Sequence, residues 1–389
     1  MATADLAEWL RLSLVPGVGN DAARRLLAAF GLPNAIFSAS ESALKQVVTD
    51  KQAKAILQIP QEFEAQWANT QAWLAGTTVA DAPCVPRRLV TLGDPGYPVT
   101  LLDIEDPPIL LYLLGCGEFG TGATQIRPSR SVAIVGSRNP THQGTENAHQ
   151  FAKTFSVQGL TVISGMALGV DGAAHQGALE GGSSRGLATT VAVVGTGLDR
   201  VYPRQHRDLA HQIASHGLLV SEYPLGTPPL SQNFPRRNRL ISGLSCGTLV
   251  VEAALQSGSL ITARMALEQG RDVFAIPGSI HSVQSRGCHA LIKQGAKLVE
   301  SAEDVLEELK VEFDSKNIAI NACSENQSGL SENKSTLLDA VGHDPVALDA
   351  LQARTGIDTA SLQAQLLMLE LDGRVARMPG GLFQRVGSA

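Results

Sequence analysis

Between Ser221 and Ser245 the chain reads SEYPLGTPPLSQNFPRRNRLISGLS. Pro224, Pro228 and Pro229 predict a loop, which runs into Phe234-Pro235-Arg236-Arg237-Asn238-Arg239. One aromatic ring and three guanidinium groups thus fall within six residues, in a chain with only 4% aromatics. Arginine forks hold phosphate oxygens in pairs, and a phenyl face stacks on an unpaired base for about 1–3 kcal/mol. Upstream, Arg200, Arg204, His206 and Arg207 form a second basic cluster. A structural reading stands beside the binding one: arginines locked in ion pairs, with Glu222 the carboxylate near them in sequence.

Four loops rich in small residues point the same way. They are Gly136-Ser137-Arg138, the run from Ser164 to Gly172 (Ser164, Gly165, Ala167 and Gly169 being its candidates), Gly195 with Gly197, and Ser257-Gly258-Ser259. Small side chains let backbone N–H groups approach an anion, and helix N-termini add positive potential. The alternative is that the glycines serve tight turns alone. A nucleotide cofactor is not expected. Arg200 stands where GxGxxG needs its third glycine, and no GxxxxGK[ST] occurs.

Catalytic constellations are thin. Asp171 and His175 are spaced as neighbours on a helix, but that spacing is equally structural. Glu252 is the best lone carboxylate, with capping of loop N–H groups as its expected role. No histidine is placed by sequence to activate Cys246, and His281, Cys288 and His289 match no metal-ligand spacing. No catalytic residue, metal or cofactor is therefore predicted.

The elements that must position these residues are legible as texture. From Ser131, apolar β-branched runs recur at Val132–Val135, Leu160–Ile163, Val191–Val194, Leu218–Val220, Thr248–Val251 and Val273–Ile276, most followed by a helical stretch. Continuous apolar strands alternating with helices predict an α/β fold: a Rossmann-like, doubly wound parallel sheet over 129–310. Residues 1–85 read as a helical (SAM-like or helix-hairpin-helix) module, with the Pro16–Gly19 turn and Asn20 or Asp21 as the next N-cap. Arg24 and Arg25 could aid a phosphate contact there, or the module merely packs. Residues 86–128 are Pro/Gly-rich and read as a connector, and 311–335 as a Ser/Asn-rich linker. Residues 336–389 outline a winged helix. Its recognition-helix segment, 358–373, has no Lys or Arg, so a protein-contact or regulatory role is expected rather than groove reading.

The formal net charge of −6 over 389 residues argues against a nucleic-acid binder until it is divided. Residues 1–120 carry −5, residues 121–300 carry +6, and residues 301–389 carry −7. The basic middle is the segment with the anion-type loops. Five widely spaced cysteines without a CxxC pair, no signal peptide and no membrane-length apolar run predict a cytoplasmic protein with reduced thiols.

These motifs resemble the DprA/Smf family of DNA processing proteins. The likeness runs through Val135–Arg138, Ser164–His175, Gly195–Asp199, Ser221–Pro224, Phe234–Arg239, Val250–Ala253, Ser257–Ala263 and Pro277–Ser279. It implies a non-enzymatic recombination mediator of natural transformation. Such a protein binds and protects single-stranded DNA, helps load the RecA recombinase, and self-associates as a homodimer through its core. By that resemblance Arg138 holds backbone phosphate, while Phe234 and Arg237-Asn238-Arg239 line the strand's path. A nucleotide-processing hydrolase, with Ser245–Thr248 and Glu252 as its site, is the alternative from another class.

Overall fold

The computed structural model describes residues 3–76, 85–119, 125–182, 188–310 and 337–385, the last without 339, 343, 344, 372, 379 and 380. The stretch 311–335, read as a linker, lies outside the described residues.

The six apolar runs become six parallel strands: β5 (Ser131–Val135), β6 (Thr161–Ser164), β7 (Thr190–Val193), β8 (Leu218–Ser221), β9 (Gly247–Val250) and β10 (Asp272–Ala275). Helices such as His142–Val157 and Val170–Gly181 cover one face, and Asn233–Gly243 and Gly258–Glu268 the other, so neither face needs polar alternation. Among the described residues the sheet has nine strands, in the order β1 (Arg87–Thr91), β2 (Leu110–Leu114), β8, β7, β6, β5, β9, β10 and β11 (Lys297–Leu298). Ala133 pairs with Ile163 on one side and with Thr248 on the other. The chain thus moves one way from β5 and later returns to its other side. That switch point, outside the carboxyl ends of β5 and β9, is where open α/β sheets bind ligands.

The connector reading of 86–128 is corrected. Arg87–Thr91 (β1) and Leu110–Leu114 (β2) pair antiparallel and extend the sheet beyond β8. Pro107 and Pro108 precede β2 rather than interrupt it, a position proline tolerates. Within the same segment Glu118–Phe119 (β3) pairs with Gln125–Ile126 (β4). The edge strand β11 (Lys297–Leu298) follows the helix Arg286–Lys293.

Six helices, Thr3–Leu14 through Phe63–Leu74, form the N-terminal module. Trp9, Leu26 and Trp73 share one core with Leu110, Tyr112 and Leu219 of the sheet, so the module is built onto that edge. Its second helix begins at Asn20 with Gly19 as N-cap, one residue ahead of expectation. Arg24 donates to Asp106 (2.9 Å) and to the Pro107 carbonyl (2.8 Å), and Arg25 pairs with Asp21 (3.1 Å). Both are spent internally, which favours the packing role over phosphate contact.

At the C-terminus β12 (Val346–Ala347), β13 (Val375–Met378) and β14 (Leu382–Arg385) form a three-stranded sheet against the helices Leu348–Thr355 and Thr359–Leu371. Gly356, at φ +69°, makes the turn between those helices. Leu351, Leu362, Leu366 and Phe383 fill this winged helix. Among the described residues no helix is long and apolar enough to cross a membrane.

Candidate nucleic-acid interface

The loop after β5 carries Gly136, Ser137 and Arg138 to the switch point. Ser137 is buried, and its hydroxyl accepts from the Asn139 N–H (3.1 Å), turning the chain outward. Arg138 is exposed and has no hydrogen bond or ion pair among the described residues. Its guanidinium carbon lies 5.9 Å from the centre of the half-buried Phe234 ring. Phe234 begins the helix Asn233–Gly243 and lies over Gly195, where an added Cβ would sit 3.2 Å from the ring. Tyr202, 47% exposed, stands beside it with ring centres 5.7 Å apart. The segments after β5, β7 and β8 therefore supply a free guanidinium, two adjacent rings and a glycine floor. A cation over an aromatic face and an open ring beside it can hold a phosphate and stack a base.

Two further exposed cations, Arg236 and Arg204, lack ion pairs among the described residues. The Asn238 side chain is half-buried and makes no hydrogen bond among them.

Several predicted site residues turn inward instead. Arg237 is 4% exposed and donates to the carbonyls of Gly165 (2.6 Å) and Val193, pinning the ends of β6 and β7. Burial, with Arg138 nearby, pushes its pKa down to about 10 despite Asp171. Arg239 makes a two-point bond with Glu222 (2.9 and 2.6 Å) and reaches Asp106 (3.3 Å). For these two arginines the ion-pair and packing reading holds and the strand-lining one does not. A sequence pattern shows that guanidinium groups are present, not which of them fold toward the core.

The loop after β6 also closes on itself. Ser164 is fully buried and donates to the Ile134 carbonyl (2.7 Å), which corrects its reading as a DNA contact. The Ala167 N–H is taken by the Asp171 carboxylate (3.2 Å) and is not offered outward. Burial raises the Asp171 pKa, opposed by Arg237. Gly169, at φ +79°, lets this loop touch the one after β5; a Cβ there would lie 2.5 Å from the Ser137 carbonyl oxygen. Gly197 donates its N–H to Thr227 (3.1 Å), holding the loop after β8. Ser257 caps the helix Gly258–Glu268: its hydroxyl accepts from the Ser259 N–H (3.3 Å) and contacts the Ser259 hydroxyl (2.7 Å), with Gly258 exposed between them. That helix packs on Asn233–Gly243, the helix carrying Phe234.

The candidate catalytic groups are likewise engaged. Glu252 accepts from the Thr141 N–H (2.9 Å) and hydroxyl (2.5 Å), while Thr141 caps the helix His142–Val157. This is the capping role expected of it. His175 is fully buried and bonds Thr190 (2.7 Å) rather than Asp171, and burial pushes its pKa down to about 3. Burial raises the thiol pKa of Cys246, and takes that of Cys288 up to about 12.

Tyr202 is the site residue that sequence reasoning missed. Its signal was present: an aromatic before Pro203, just past the Gly195–Gly197 loop, in a chain with few aromatics.

Comparison with known proteins agrees with this fold. Residues 88–310 match the family model described as DNA recombination-mediator protein A, and 324–381 match the DprA winged helix domain. The chain is 42% identical over 300 residues to Protein Smf of Escherichia coli, covering 76% of each. It is 45% identical over 217 residues to the DNA processing protein DprA of Streptococcus pneumoniae, covering 56% of this chain and 72% of that one. The X-ray structure of S. pneumoniae DprA superposes with a TM-score of 0.63 at 33% identity, over 80% of this chain and 99% of that one. A Helicobacter pylori DNA processing protein A structure, described for its single-stranded DNA binding mode, gives a TM-score of 0.50 at 28% identity, over 58% and 97%. With its core, its winged helix and these relatives, the chain belongs to the DprA/Smf family of DNA processing proteins.

Proposed function

We propose that this protein binds single-stranded DNA without sequence preference at the carboxyl edge of β5, β7 and β8, protects it, and helps load RecA onto it during natural transformation. The observation that carries the reading is the exposed Arg138 guanidinium beside the Phe234–Tyr202 pair. Phosphates bind Arg138, with Arg204 and Arg236 as flanking charges. Unpaired bases stack on the rings, which duplex bases cannot do without leaving their stack. The single-strand binding of the H. pylori relative supports the same polymer. Little in the site can read base edges, so affinity follows charge and stacking. The reading is non-enzymatic: Glu252, the carboxylate a hydrolase would use, is occupied by Thr141.

Self-association through the core belongs to the same proposal. Leu298 (45% exposed) lies in the short edge strand β11, and Ile280 (74%) and Val283 (60%) lie in the segment that follows β10, apolar surface suited to a second copy.

Equilibrium binding to matched single-stranded and duplex oligonucleotides tests the polymer, with single-strand preference and a steep fall with salt expected. Strand exchange by RecA on DNA coated with single-strand-binding protein tests the loading role. Equal affinity for duplex, or no stimulation of RecA, would contradict these respective parts.

A further inference from the structure

We propose that the DNA path continues from Tyr202 into the groove between the N-terminal helices and the core, which holds nucleotides beyond those at Phe234. The inference rests on the single-strand reading above. The groove encloses about 940 Å³ and is lined by Trp73, Leu198, Arg204, Arg207, His211 and Leu225, among others. That volume lies at the upper end of those holding drug-sized ligands, roughly 300–1,000 Å³, so a nucleotide fits.

One loop joins the two places. Tyr202 packs on Phe234, while Leu198, Val201 and Arg204 of the same loop face the groove. Arg207 and His211 follow on the helix Arg207–His216, one turn apart and on one side. Both are exposed and lack ion pairs among the described residues. The carboxylate in the lining, Asp199, is already held by Arg200 (2.9 Å) and by the Gly226 N–H (2.8 Å). Among the described residues the groove therefore presents uncompensated positive charge above apolar walls. Guanidinium groups suit phosphates, and the walls suit sugar and base faces. This also gives a role to Arg207 of the second basic cluster, which the Phe234 site alone leaves unused.

The test uses the full chain and the double variant Arg207→Ala/His211→Ala, both positions being exposed and outside the Phe234 site. Labelled oligothymidylates of about 6 and about 20 nucleotides, bracketing common single-strand site sizes, are the probes. The variant should bind the short probe like wild type and the long probe about tenfold more weakly. Its salt slope on the long probe should fall by about 0.7 for each phosphate that the variant no longer neutralises. Wild-type affinity and slope on the long probe would overturn the groove path and leave the Phe234 site standing. Failure of wild type to bind either probe would overturn both.

Discussion

Arg237 occupies the place that a side chain on Gly165 would need: a Cβ there would lie 2.3 Å from the guanidinium that donates to the Gly165 carbonyl. Arginine at 237 in this position therefore requires glycine at 165. The pair locks the loop after β6 to the helix that carries Phe234.

Replacing Arg237 should accordingly be a stability lesion. Arg237→Ala leaves two strand-end carbonyls and the buried Asp171 without their cation, at a cost of about 3 kcal/mol or more. Chemical denaturation should show that loss, while protein that remains folded keeps near-normal DNA affinity. A variant of normal stability that no longer binds DNA would return Arg237 to the strand's path.

The N-terminal module should be energetically coupled to the site helix. Arg24 and Arg239 reach different carboxylate oxygens of Asp106, at 2.9 and 3.3 Å. A double-mutant cycle of Arg24→Ala and Arg239→Ala should give a coupling energy of about 0.5–3 kcal/mol, as for residues sharing a network. Strict additivity would mean that the two pairs act independently.

His175 gives a pH dependence of definite sign. Its folded pKa of about 3 lies below the ordinary value of about 6.5, so the unfolded chain binds the extra proton between them. Its contribution is complete above about pH 6.5 and is lost as pH falls toward 3, by up to about 1.4 kcal/mol per pH unit. His175→Asn should be less stable at neutral pH, having lost the imidazole bond to Thr190, and lose less on acidification. Urea midpoints at pH 7 and pH 5 measure both; an equal loss in variant and wild type would refute the assignment.

Glu252 should matter to the loop after β5 and not to chemistry. Glu252→Ala removes the acceptor of the Thr141 N–H and hydroxyl and should cost about 1–3 kcal/mol. Release of free base from nucleotide monophosphates by wild type, abolished in Glu252→Gln, would favour the hydrolase alternative instead.

How much can be read in advance divides along physical lines. The six core strands are plain because a strand buried on both faces is an unbroken apolar run, as in Val132–Val135. The winged-helix hairpin is plain because Gly380-Gly381 follows Pro379 between two β-type runs. β1 and β2 are hidden by prolines that lie outside them, so that Leu110–Leu114 reads as connector. Within the site, residue types mark the right loops. Arg138 and Arg237 look alike as letters, yet one is exposed and the other 4% exposed. Tertiary direction decides that, and it also places Tyr202 against Phe234.

The most direct test of single-strand binding at this edge is fluorescence anisotropy with a labelled oligothymidylate at fixed salt, comparing wild type, Arg138→Ala and Phe234→Ala. Phe234→Ala should lose about 1–3 kcal/mol, the worth of one stacked base. Arg138→Ala should also bind more weakly and show a salt slope shallower by about 0.7, with both variants folded as wild type. Wild-type affinity and slope in both variants would contradict the account.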